Sequence, residues 1–116
     1  MTLQELMDCT GAKLITPDVD VQRTITTGYS CDLLSWVLAH GQAGMAWVTV
    51  QTHLNVIAVA MLMDMACVII PEGIEMEAAT LQKAIGEGVP VLVSEHTAYT
   101  LCGMLYEAGV GQAARK

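Results

Sequence analysis

The second half of the chain repeats one unit. Apolar runs MAWVTV, ACVIIP and VPVLVS begin at residues 45, 66 and 89, and helix-like stretches follow from residues 54, 76 and 97. Strands alternating with helices in this way build parallel βαβ units. The runs are continuously apolar rather than alternating, as required of strands covered on both faces. Right-handed crossovers then set the hand of the core. The fold class expected is α/β: a three-layer sandwich with a mainly parallel sheet of successive βαβ units, plus an N-terminal helix and short strands.

The first part of the chain supplies those additions. Thr2 and Glu5 match a capping box that starts a helix running to about Cys9 and stopping near Gly11. KLITP, at 13 to 17, reads as a short strand closed by proline. RTITTGY is β-branched and alternating, a strand ending near Gly28. Asp32 is placed to cap a helix that Gly41 ends. A chain of 116 residues makes one domain, here 1 to 110, and the tail 111 to 116 is expected to be disordered.

Composition narrows the partners. The net charge is −7 with only five Lys and Arg, so there is no basic stripe for nucleic acid and no basic helix for a membrane surface. The apolar stretch 54 to 70 is broken by Asp64 and falls short of the roughly 20 residues a spanning helix needs. Cys9, Cys31, Cys67 and Cys102 form no CxxC pair, and MTLQELMDC lacks the features of a signal peptide. A reduced, cytoplasmic protein is expected. The three histidines and four cysteines show no zinc-type spacing, so neither a metal nor a cofactor is expected.

Charged residues are only 15% against 53% apolar, which leaves apolar surface to cover. The helix at 54 to 63 is apolar nearly all round. A helix without a polar face must be covered on both sides. A second copy is the direct inference, with Val56, Val59, Ala60 and Met63 at the interface. Burial under the N-terminal helix of the same chain is the alternative.

Ligands of parallel sheets bind outside the carboxyl ends of the strands. Three loops converge there, carrying Gln51, Thr52, His53 and Asn55, then Pro71, Glu72 and Gly73, then Ser94, Glu95, His96 and Thr97. Thr27, Gly28 and Tyr29 join them if their strand is parallel to the core. Free N–H groups at helix starts favour anions. Thr52 and Ser94 equally suit plain helix N-caps, and Glu72 an ordinary turn.

The segments VQRTITTGYSCDLLSWVLAH and MAWVTVQTHLNVIAVAMLMDMACVIIPEG resemble the DRTGG domain family, over about residues 1 to 108. The family motif is Asp, Arg, two spacers, Thr, Gly, Gly. Arg23, Thr26 and Gly28 agree with it, while Gln22 stands for the aspartate and Thr27 for the first glycine. The resemblance implies a non-catalytic, regulatory module of the kind found within phosphotransacetylases and CBS-domain pyrophosphatases, contributing dimer contacts in the pyrophosphatases. The turn at Gly28 is then a structural corner first and a ligand contact second.

The function expected is a non-catalytic regulatory or assembly module that homodimerises, with a further protein partner open. The alternative is a sensor binding a nucleotide or metabolite anion at Thr27, Gly28, Thr52, His53, Ser94 and His96. A third reading is an enzyme using His53 as base.

Overall fold

The structure, a computed structural model, describes residues 1–111. Its elements run α1 (Leu3–Thr10), β1 (Lys13–Leu14), β2 (Thr27–Ser30), α2 (Leu34–His40), β3 (Met45–Val48), α3 (Leu54–Leu62), β4 (Cys67–Ile70), α4 (Ala78–Glu87), β5 (Val91–Val93) and α5 (Ala98–Glu107). The tail expected to be disordered lies outside the described residues apart from Gly111.

The strands form one sheet in the order β1-β5-β4-β3-β2, parallel except for β1, which pairs antiparallel with β5. From β2 to β5 each crossover steps one place in the same direction. Crossovers of one hand stepping one way must put their helices on one face. Accordingly α2, α3 and α4 pack on one face, around Trp47, Val56, Ile57, Val68 and Ala84. The opposite face carries α1 and α5, with Leu3, Leu6, Ile69, Leu101 and Leu105. This is the three-layer α/β sandwich expected from the runs.

β3 and β4 are buried at every position, as continuous apolar runs require. Trp47 is wholly buried, and its indole N–H donates to the Cys31 carbonyl at 2.9 Å. Truncating a buried side chain of that size costs about 3–5 kcal/mol. The capping box of α1 is present: Glu5 N–H donates to Thr2 Oγ1 and Thr2 N–H to Glu5 Oε1. Among the described residues no helix is long and apolar enough to cross a membrane.

The expectation for the apolar helix needs correction in its residues. Val56, Val59 and Ala60 are buried in the chain's own core, and Met63 packs partly against it. Covering them takes no second molecule. Nor does α1 cover α3, because α1 lies on the other face of the sheet. The outer stripe of α3 is formed instead by Leu54, Ala58, Met61 and Leu62, and Leu62 is 73% exposed.

Two further expectations change. Asp32 does not cap α2; Leu33 stands at that position and makes no side-chain cap bond. The Thr27 and Gly28 pair is not a corner, because both lie within β2 in regular parallel register with Met45 and Ala46. Gly28 has no left-handed backbone. Gly44, just before β3, has one, with φ +81°, and an added Cβ there would sit 2.7 Å from the Thr26 side chain.

Candidate functional site

The carboxyl ends of β2, β3, β4 and β5 share one rim, since those strands are parallel. Its polar groups are tied to one another. Asp32 Oδ1 accepts from the Thr49 hydroxyl at 2.8 Å and the Val50 N–H at 2.9 Å. The Gln51 side-chain amide donates to the Asp32 carbonyl at 3.0 Å. These bonds knit the loops after β2 and β3 and occupy Gln51.

Thr52 donates its hydroxyl to Glu77 Oε2 at 3.2 Å, and its carbonyl accepts from the buried Thr80 hydroxyl at 2.6 Å. So the expected N-cap, Thr52, instead fastens the loop to α4. The N-cap of α3 is His53, whose Nδ1 accepts from the Asn55 N–H at 3.2 Å. That bond needs the neutral ring with its proton on Nε2. His53 thus serves α3 as its cap.

The loop after β5 is organised by Glu72. Glu72 has φ +68°, and its carboxylate accepts from the Ala98 N–H at 3.0 Å, in the first turn of α5. Its own N–H donates to the His96 carbonyl at 2.7 Å, and Gly73 N–H to the Ser94 carbonyl at 2.9 Å. Ser94 Oγ accepts from the His96 N–H at 3.1 Å, and Thr97, not Ser94, caps α5 by accepting from Thr100 N–H. A carboxylate already meets the positive end of α5. The free anion site expected at that terminus is therefore filled by the chain's own Glu72.

The nine ligand candidates divide into three places. Gln51, Thr52 and His53 sit in the loop from β3 to α3, and Asn55 in the first turn of α3. Ser94 and His96 sit in the loop from β5 to α5, with β4 between the two sites. Ser94 lines a cleft of about 410 Å³ beside β1 that also holds Lys13, Glu75 and Glu95. Thr27, Gly28 and Tyr29 run along β2, away from the loops, and line a cleft of about 330 Å³ against α5. β2 is parallel to the core, but Thr27 pairs with Met45 at the start of β3, at the end of the sheet opposite the rim. Asp32 and Glu72 organise the rim, where the sequence suggested a helix cap for Asp32 and an ordinary turn for Glu72. Their sequence signal is only an acidic residue just after a strand, which ordinary turns share.

No known family profile matches the chain, and no curated protein does. Among solved structures it is similar to the CBS and DRTGG domains of the regulatory region of Clostridium perfringens pyrophosphatase, a structure complexed with the activator diadenosine tetraphosphate. The TM-score is 0.69 at 10% identity, over 97% of this chain and 49% of that one. The fold is DRTGG-like. The chain spans about half the length of that structure, and at such identity the likeness is one of fold alone.

Within this DRTGG-like domain the motif positions act as fasteners. Arg23 donates to Asp64 Oδ1 at 3.1 Å and to the Asp64 carbonyl at 2.8 Å, just past the end of α3. Thr26 donates its hydroxyl to the Ala43 carbonyl at 3.0 Å, and its N–H to the Gly44 carbonyl at 2.9 Å. Arg23 thus ties the segment before β2 to the turn between α3 and β4, and Thr26 ties it to the loop before β3. Gly28 differs: it faces Val110, and its role is the space its missing side chain leaves.

Proposed function

We propose that the domain is a non-catalytic regulatory module that works by pairing with a second copy through the outer face of α2 and α3. One observation carries this reading. Residues 33 to 63 contain no Asp, Glu, Lys or Arg, yet Leu33, Trp36, Leu38, Met61 and Leu62 from that segment stand exposed. The rest of the surface belongs to a chain with twelve acidic and five basic residues. Two copies meeting through acidic surface repel each other, whereas the α2 and α3 stripe itself carries no charge, with Lys83 of α4 at its edge. An apolar helical stripe meeting itself about a twofold axis is the commonest closed arrangement. The fold neighbour supports the regulatory part, since it is itself the regulatory region of an enzyme.

Sedimentation velocity at micromolar concentration tests the pairing. The wild type should sediment as a dimer. Met61→Glu combined with Leu62→Glu should sediment as a monomer that keeps a native circular-dichroism spectrum. A wild-type monomer across the accessible range defeats the pairing.

A further inference from the structure

We infer that the cleft between β2 and α5 is a binding site for a small, uncharged, flat nitrogen heterocycle of the purine or pyrimidine base type. This is separate from the pairing face. The cleft exists because Gly28 lies where β2 looks across to α5. A Cβ built on Gly28 would already stand 3.6 Å from Val110 Cγ1, in ordinary contact, so any larger side chain would occupy the opening. The floor adds Ser30 and Val48, and the far wall Cys102, Leu105 and Tyr106.

Three features define the occupant. First, the volume of about 330 Å³ sits at the small end of ligand pockets, which suits one or two fused rings rather than a dinucleotide. Second, none of the described residues lining the cleft is charged, so none of them offers an ionic partner to a phosphate or carboxylate. The lining is mainly apolar, with two tyrosines able to meet a flat ring. Third, β2 is the edge strand. In a parallel ladder alternate residues bond to the neighbouring strand. Cys31 N–H donates to the Val48 carbonyl, so Tyr29 and Cys31 face β3, and Gly28 and Ser30 turn their N–H and C=O groups outward. A donor and an acceptor along one strand edge match the adjacent acceptor and donor of a base, much as a peptide strand would be matched. The Thr27 hydroxyl, 3.5 Å from the Gly28 carbonyl, adds an adjustable partner.

The test is two-dimensional amide NMR of the whole chain titrated with adenine, uracil and toluene. Adenine or uracil should shift the Gly28 and Ser30 amide signals in a saturable way, and toluene, which fills space but lacks the hydrogen-bonding edge, should bind more weakly. Gly28→Val should weaken the heterocycle roughly tenfold or more by filling the opening, with signals of β4 and β5 unmoved. Gly28→Ala, whose single methyl stands in ordinary contact with Val110, should weaken it less and guards against misfolding of the larger variant. Absence of saturable shifts at millimolar heterocycle, toluene binding as tightly, or undiminished binding by a folded Gly28→Val would each overturn the assignment. Dimerisation is read separately by sedimentation, so failure here leaves that reading standing.

Discussion

The two sides of α3 are alike in chemistry and opposite in fate. Val56, Ile57, Val59 and Ala60 are sealed against the sheet, while Leu54, Ala58, Met61 and Leu62 stand outside. Nothing in the composition of the helix separates the two sets. What separates them is the rotation of the helix on the sheet, fixed by α2 and α4 on either side. Apolar character alone therefore does not tell a core position from an interface position. The difference lies in what a change at each position leaves unpaired.

The sharpest way to break that contrast is a charge on each side. Val59→Glu should leave the chain largely unfolded, since an unpaired carboxylate in a sealed core costs upwards of about 4–5 kcal/mol out of a total stability of about 5–15 kcal/mol. Circular dichroism would show it, and a folded variant would mean that α3 is rotated from its described setting. Deletion on the same side is milder: Ile57→Ala should cost about 2–5 kcal/mol in urea unfolding. Across the helix, Leu62→Glu should move stability by no more than about 0.5 kcal/mol, as at other exposed sites. Any larger loss in the monomeric state would mark Leu62 as core.

Cysteines sharpen the same contrast chemically. Complete burial pushes the Cys67 thiol up to about 12. Cys9 is raised as well, chiefly by desolvation, yet it is exposed. Iodoacetamide at pH 8 should modify Cys9 in the native protein and reach Cys67 only on global unfolding, as peptide mass spectrometry would report. The smallest effect concerns Glu5. Hydrogen bonds from Thr2 hold its carboxyl below the usual value of 4.5. A group depressed in the folded state contributes stability above its unfolded value, and loses it as pH falls through the folded one. Glu5→Gln keeps the capping box but removes that titration. Its unfolding midpoint should therefore fall less than the wild type's below about pH 4.5.

Much of the fold was legible because it rests on local pattern. The runs at 45, 66 and 89 each became a strand, and the helices after them fell within a few residues of expectation. The capping box of Thr2 and Glu5 formed as read. The candidate site was legible only in part. That Gln51, Thr52 and His53 and, apart from them, Ser94 and His96 lie at strand ends followed from chain order. That Thr52 and Ser94 would fasten loops, while His53 and Thr97 cap helices, did not. Several hydroxyls stood near each helix start, and the choice turned on Glu77, Thr80 and Glu72, which come from other segments.

The sequence by itself determined the α/β class and the run of parallel strands, because continuous apolar runs between helices can be buried in few other ways. The tertiary structure alone decided which half of α3 is core, and that Gly28 opens a cleft instead of turning a corner. The reason is the same in both cases. Each outcome depends on a neighbour far along the chain, α2 and α4 for the helix and Val110 for the glycine, and local sequence carries no record of which distant surface will arrive.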